Sequence, residues 1–263
     1  MNDISSKQPT SWAQFDHRVR FSGGKLLRQL DNYSDPILIA GCQRSGTTAL
    51  TRLIVGSEEI ADFRFGKDDE LDAALILSGW QGLHNKGRYC FQTTYLNDSF
   101  AEYFEHNNYR LIWVLRKPSS VIYSMLYNWK VAALNRLFLH CGSAYLDGYE
   151  KIIYQRIGPI FISRLRRACL SYNAKVSQIF TLHKNIDSEK LFVVDYDRLI
   201  AHKDIILPRI YRFIDLPYKR IYSDELHAGS INKASRFQKR YEAMLNRVCM
   251  PVYEKACELE TLS

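Results

Sequence analysis

Asp35-Pro-Ile-Leu-Ile-Ala-Gly-Cys-Gln-Arg-Ser-Gly-Thr-Thr-Ala-Leu50 is the stretch that decides the fold. Its apolar run Ile37–Ala40 has the continuous pattern of a buried strand. A turn containing Gly41 and Gly46 follows, and Ala49, Leu50, Leu53 and Ile54 then recur at helical spacing. Strand, glycine turn and helix N-terminus together make a cradle for an anion. Backbone N–H groups converge there, the helix dipole adds partial positive charge, and glycine admits close approach of the main chain. The frame is nearly G-x-x-x-x-G-K-[ST], with Gly41, Gly46 and Thr48 in register, but Thr47 occupies the lysine position. The cation is instead Arg44, inside the turn. That displacement predicts a phosphate-like anion other than a magnesium-bound nucleoside triphosphate.

Outward from this stretch, two further apolar runs read as buried parallel strands, Arg110–Leu115 and Lys190–Asp195, and Tyr89–Gln92 reads as a short one. Helical patterns fall at Thr47–Val55, Asp69–Leu77, Asp98–Glu105, Ser119–Leu137, Pro159–His183, Asp204–Phe213 and Arg240–Leu259. Gly142–Gly158 reads as a loop rich in Tyr and Gly, and Gly229–Gln238 as another. Strands alternating with helices imply a single α/β domain, a central parallel sheet flanked by helices in a P-loop-like arrangement. Residues 35–263 form that domain. Residues 1–34, polar with a possible short helix around Trp12–Leu30, form an N-terminal extension expected to lead into the core rather than form it.

The 263 residues carry a net charge of +8, which suits an anionic ligand, a nucleic acid or a membrane surface. Lys and Arg are dispersed among apolar residues, so no nucleic-acid arm is expected. No apolar stretch is long enough to span a bilayer and Met1–Thr10 has no signal-peptide pattern, so a soluble, cytoplasmic protein is expected. The six cysteines include no C-x-x-C, and the histidines show no ligand spacing, so no metal site is expected. Cys42 lies in the anion turn, where a small tolerated side chain is the simpler reading than a reactive thiol.

The Arg110–Leu115 strand ends in Arg116, and Ser124 follows in the next helix. Ligands of open α/β sheets collect at the C-terminal strand ends, and Arg with Ser makes a phosphate clamp of charged fork and neutral hydroxyl. A nucleoside triphosphatase would place an acidic residue at that strand end for Mg²⁺. The pair Gly41-Cys-Gln-Arg-Ser-Gly-Thr-Thr-Ala-Leu50 and Arg116-x7-Ser124 resembles the sulfotransferase family that uses 3'-phosphoadenosine-5'-phosphosulfate (PAPS) and releases 3'-phosphoadenosine-5'-phosphate (PAP). Val193-Val-Asp-Tyr-Asp-Arg-Leu199 and Phe213-Ile-Asp-Leu-Pro217 resemble two later family motifs in the right order. The resemblance spans about residues 35–260 and is thin in the middle.

The resemblance implies that Arg44, Ser45, Gly46, Thr47 and Thr48 hold the 5'-phosphosulfate. Arg116 and Ser124 would hold the 3'-phosphate, and Tyr196 would lie near the nucleotide. Ser230 and Lys233 would represent the family's late cofactor loop. Where the family commonly has a basic residue a turn after the serine, this chain has Asn128. Gln92-Thr-Thr94 replaces the Lys-Thr-Pro of many relatives.

Sulfuryl transfer needs in-line geometry, charge stabilisation on the leaving oxygen and a general base for the acceptor. Relatives with the R-S-G-T-T form place a glutamate shortly after the first helix, which implies Gly66-Lys-Asp-Asp-Glu-Leu-Asp72 as the window. Glu70 is the first choice, Asp69 the second and Asp68 the third; acidic residues at a helix start also serve the helix dipole alone. His84 is the best histidine candidate. Tyr127, Trp129, Phe138, Tyr145 and Tyr149 are candidates for an aromatic acceptor pocket, while Asp68, Asp69, Glu70 and Asp72 could draw a cationic or polyhydroxyl acceptor. The leading expectation is a sulfotransferase acting on a hydroxyl or amine of a small molecule, such as a bacterial metabolite or natural product. A P-loop nucleotide kinase, a non-catalytic nucleotide-binding protein and a basic nucleic-acid-binding protein are the rivals.

Overall fold

Four apolar runs without charged interruption become the four strands, because a parallel strand covered on both faces has no solvent side to mark with polar residues. The computed structural model describes residues 8–83, 87–224, 226, 237 and 239–261. The strands are β1 (Ile37–Gly41), β2 (Cys90–Gln92), β3 (Arg110–Leu115) and β4 (Leu191–Asp195), all parallel, in the order β2-β1-β3-β4. The helices are α1 (Trp12–Phe15), α2 (Thr47–Val55), α3 (Asp69–Ser78), α4 (Pro118–Tyr127), α5 (Val131–His140) and α6 (Gly148–Ile157). They continue as α7 (Arg164–Asn185), α8 (Tyr196–Ala201), α9 (Lys203–Phe213), α10 (Ile221–Asp224), α11 (Lys239–Val248) and α12 (Met250–Cys257).

Alternate residues of each strand enter different cores. Ile37, Ile39, Ile112, Val114 and Val194 pack with Leu50, Leu53 and Ile54 of α2 and Leu207 and Ile210 of α9. Leu38, Ala40, Leu111, Trp113 and Val193 pack with the opposite layer, which includes Leu75 of α3, Val121 of α4, Leu134 of α5 and Tyr172 of α7. The chain steps from β1 to β2 on one side and returns to β3 on the other. The order therefore reverses between β1 and β3, where an open α/β sheet leaves a crevice beyond its strand ends.

Several elements differ from their sequence reading. The expected helix Ser119–Leu137 is two helices, α4 and α5, broken at Asn128–Lys130, and Arg240–Leu259 breaks at Cys249. The expected loop Gly142–Gly158 contains α6; its residues are all at least partly exposed, so its helical pattern carries no core signature. Pro159 belongs to a separate 3-10 turn (Gly158–Phe161), and α7 starts after Ser163, whose side chain accepts from the Arg166 amide at 3.1 Å. Asp98–Glu105 narrows to a 3-10 helix, Phe100–Glu105.

The N-terminal segment departs most from expectation. Phe15, Val19, Leu26, Leu27 and Leu30 are buried in the larger core rather than merely leading into it. The short α1 passes into a π-helical turn, Asp16–Arg20, and Arg20 ties that turn to Asp98 at 2.7 Å and to the Tyr95 carbonyl at 2.7 Å. The polar composition hid this because the apolar residues are few and spaced across an irregular backbone.

Gly41 closes β1 at φ 138° beside Val114, its partner in the β1–β3 register. A Cβ there would fall well inside contact distance of the Val114 carbonyl oxygen, a rigid backbone atom. Gly41→Ala is expected to lower stability by at least about 2 kcal/mol in urea unfolding. Val55→Ala at the end of α2, a peripheral core truncation, serves as the comparison.

Candidate active site

The cradle after β1 is built by backbone handedness. Gly41, Arg44 and Gly46 all have positive φ (138°, 73° and 100°), which folds residues 42–46 into a tight loop facing the N-terminus of α2. The first amides of α2 have no intrahelical acceptor and point toward that loop. Gly46 is needed a second time for space, because a Cβ would run into the Tyr196 ring. Ser45 Oγ is buried and has no hydrogen-bond partner among the described residues. Thr47 is buried at the helix start and its Oγ1 accepts from Gln92 Nε2 at 3.3 Å, whereas Thr48 is exposed to the cavity.

The second half of the site follows β3. Arg116 is buried, its Nε lies 3.1 Å from Asp197 Oδ1, and its guanidinium stacks over the Tyr196 ring at 4.9 Å. Tyr196 thus contacts both strand-end motifs, filling the space beside Gly46 and carrying the face of Arg116. Arg44 crosses the crevice and donates from Nε to Ser124 Oγ at 2.9 Å. Partial burial and the neighbouring Arg116 push the Arg44 pKa down, as expected for two guanidiniums sharing a pocket. Arg44, Arg116, Ser124 and Tyr196 line a cavity of about 320 Å³ together with Gly46, Thr47, Thr48 and Asn128. β4 ends in an acid, but Asp195 is committed to structure. It accepts from the Arg198 amide at 2.8 Å and from Tyr253 Oη at 2.9 Å.

The four acids of the Gly66–Asp72 window separate by role. Asp68 caps α3, with Oδ1 accepting from the Glu70 and Leu71 amides at 3.2 Å and Oδ2 from Trp12 Nε1 at 2.9 Å. Asp69 is paired with Arg52 Nε at 2.7 Å. Asp72 is buried and receives the Phe65 and Gly66 amides at 3.0 and 2.7 Å, closing the loop before the helix. Glu70 alone turns into the cavity floor, where Thr94 Oγ1 donates to its Oε1 and Gln92 Nε2 lies 3.5 Å from Oε2. Glu70 as a residue keeps some solvent contact, yet its carboxylate lies deep enough that burial pushes its pKa up to about 7. Asp68 adds to the rise, while the Thr94 bond and the Lys175 charge oppose it.

Lys175 and Gln43 were not legible as site residues. Lys175 is 1% exposed, donates to the Thr94 and Leu96 carbonyls at 3.2 and 3.5 Å, and so fixes the turn that presents the Thr94 hydroxyl. Gln43 donates to the same Thr94 carbonyl at 2.9 Å and to Asn97 Oδ1 at 3.1 Å. The one available signal was a lysine within the apolar stripe Ala168, Tyr172, Ile179 and Leu182 of a long helix. Such a lysine is dear to bury without hydrogen bonds.

A second cavity of about 720 Å³ adjoins the first. Both are lined by Gln43, Arg44, Thr48, Glu70, Gln92 and Trp129, so they meet at Glu70. One wall of the larger cavity is the N-terminal segment, through Trp12, Ala13, Asp16 and Arg20, and another is α5. Of the aromatic candidates, Trp129 lines the cavity; Phe138 is buried in the core, and Tyr127, Tyr145 and Tyr149 are exposed without lining it. Cys42 is buried and its thiol pKa is pushed up by desolvation, which removes the reactive reading. Ser230, Lys233 and His84 lie outside the described residues.

Residues 34–247 match the sulfotransferase domain family, and the chain belongs to it. The activity of that family is sulfuryl transfer with PAPS as donor, so the protein is an enzyme of the transferase class. Among solved structures, it is similar to the sulfotransferase domain from the curacin biosynthetic pathway (12% identity, TM-score 0.52), covering 86% of this chain and 96% of that one. It is also similar to a retinol dehydratase in complex with androsterone and inactive cofactor PAP (10% identity, TM-score 0.51), covering 94% and 87%. At such identities the likeness concerns the fold. No curated protein matches the chain. Among the described residues no helix is long and apolar enough to cross a membrane.

The electrostatic balance at Glu70 is directly measurable. Removing the opposing charge in Lys175→Met is expected to raise the pH at which Glu70 ionises, read from side-chain carboxyl NMR. An unchanged titration midpoint would contradict the coupling. Glu70→Gln is expected to raise the melting temperature at pH 8 but not at pH 4. A carboxyl whose folded pKa is raised from 4.5 to about 7 favours the folded state fully below 4.5. That advantage is lost as pH rises through 7, and the amide never incurs the loss.

Proposed function

We propose that the chain moves a sulfuryl group from PAPS in the smaller cavity to a hydroxyl or amine of a small molecule in the larger one. The carrying observation is that the two cavities share a boundary formed by Arg44, Glu70 and Gln92. A donor on one side and an acceptor on the other would then face each other in line across it. PAPS supplies the sulfuryl group and a phosphate leaving group when bound. Its fit is supported by the orphan amides at the start of α2 and by the guanidiniums of Arg44 and Arg116 that line the same cavity.

In this reading Ser45, Gly46, Thr47 and Thr48 bind the 5' side through main-chain and hydroxyl donors. Arg116 and Ser124 recognise the 3'-phosphate, with Asp197 and Tyr196 holding the guanidinium in plane. Arg44 stabilises negative charge that develops on the leaving side. Glu70 accepts the proton of the attacking group, a task that suits a carboxyl with a pKa near 7. Thr94 and Gln92 aim it. Asp69 and Asp68 are its supports rather than its substitutes. Ser230 and Lys233 remain expected donor contacts. We place the reaction in the cytosol, a reading supported by six unpaired cysteines.

PAP binding by calorimetry is expected to exceed ADP binding, and Arg116→Ala to weaken PAP roughly 10- to 100-fold while leaving ADP nearly unchanged. Equal affinity for PAP and ADP would overturn the 3'-phosphate assignment. Glu70→Gln is expected to lower kcat about 10²- to 10⁴-fold with PAP affinity intact. In the wild type, kcat/KM should fall about tenfold per pH unit below roughly 7, the limb belonging to Glu70. A flat profile between pH 5 and 8 would remove Glu70 as the base.

A further inference from the structure

The acidic sequence around α3 suggests a cationic acceptor, but the folded cavity reverses that expectation. Four carboxylates line the larger cavity: Asp16, Asp68, Asp69 and Glu70. Asp16 is surrounded by Arg20 Nε and Arg136 Nε at 3.1 Å and His140 Nε2 at 3.3 Å, and its pKa is held down despite burial. Asp68 spends both oxygens on the α3 amides and Trp12, and Asp69 is paired with Arg52. Glu70 is reserved for the proton. Among the described residues, every carboxylate lining this cavity already has a hydrogen-bond or ion-pair partner.

The uncommitted charges are of the opposite sign. Lys67, just before the α3 cap, and Lys130, at the start of α5, line the cavity from separate elements and are exposed. Neither has an ion pair or hydrogen bond among the described residues. Arg52 keeps 58% of its side chain exposed beyond its pairing with Asp69. Setting aside Arg44 and Glu70, the lining holds Arg20, Arg52, Lys67, Lys130 and Arg136 against Asp16, Asp68 and Asp69, an excess of two positive charges. Such a field concentrates anions at a concave mouth. Between the charges the lining mixes polar side chains with an apolar part made by the indoles of Trp12 and Trp129 and the small side chains of Ala13, Ala132 and Ala133. Trp12 is held by its bond to Asp68 and by ring contacts with Phe15 and Tyr95, both at 5.7 Å.

We infer that the acceptor is an amphipathic molecule bearing an anionic group, a carboxylate or phosphate, in addition to the hydroxyl or amine that is sulfated. Lys67 and Lys130 are its specificity-determining residues, and Trp12 and Trp129 contact its apolar part. This rests on the two-cavity reading above. The N-terminal wall that carries Trp12 lies outside the family match, which begins at residue 34, whereas Lys67, Trp129 and Lys130 lie within it.

The test uses the full chain saturated with PAP and two probe scaffolds, a para-substituted phenol and an eight-carbon primary alcohol. Each carries a carboxylate, a phosphate, a methyl ester or an ammonium group, and binding is read by calorimetry. The carboxylate or phosphate forms are expected to bind at least about tenfold more tightly than the ester and ammonium forms. The margin should shrink as salt is raised, because exposed charges are screened. Comparison of the two anions says which one the site takes. Lys67→Glu combined with Lys130→Glu should abolish the margin while PAP affinity and melting temperature stay unchanged. Preference for the neutral or cationic forms, absence of binding by any anionic probe, or indifference to the double charge reversal would overturn the inference. Failure of the wild type to bind PAP would instead remove the reading on which it rests.

Discussion

The parallel pairing of β1 with β3 is the constraint on which the site depends. Gly41 sits opposite Val114 in that register, so the two chains leave the sheet side by side and in the same direction. One continues as the cradle and α2; the other continues as Arg116 and α4. Because strand order reverses at this pair, no further strand end covers the gap between them. Arg44 can therefore reach Ser124 across 80 residues of sequence, and Tyr196, delivered by the end of β4, can touch both halves. A side chain at residue 41 would push the strands apart at the point where all three elements meet.

Charge organises the remainder. Two guanidiniums face one crevice: Arg116 is buried and paired with Asp197, and the more exposed Arg44 reaches across to Ser124. On the adjoining side one carboxyl is buried far enough to resist ionisation, while its neighbours are consumed by a cap, an ion pair and a loop closure. Four acids within five residues thus acquire four different physical situations. Only one retains both a perturbed affinity for protons and access to the cavity. Lys175, buried behind the site, limits that perturbation through space and holds the turn bearing Thr94.

Much of the crevice beyond β1 and β3 was legible in the sequence, because it is made of short local patterns whose geometry is intrinsic. A glycine turn after an apolar run before a helix folds the same way wherever it occurs, and Arg116 lies at a strand end whatever else surrounds the strand. The larger cavity was not legible in this way. Its walls come from Trp12 and Asp16, from α3 and from α5, segments far apart in sequence and joined by no common spacing. The break at Asn128–Lys130, which aligns Trp129 and Lys130 with the cavity, replaced a helix that apolar periodicity alone would have carried straight through.

The sequence by itself determined the alternation of strands and helices, the anion cradle, the strand-end arginine and a short list of acids. Those features are encoded by nearest neighbours, by backbone sterics and by hydrophobic period. Tertiary structure alone decided which acid is free to take a proton, which charges cancel and which do not, and that the N-terminal segment belongs to the core and walls the second cavity. These depend on burial and on pairings such as Asp16 with Arg136 or Asp68 with Trp12. Desolvation and ion pairing are properties of three-dimensional neighbours, and no local pattern of residues records them.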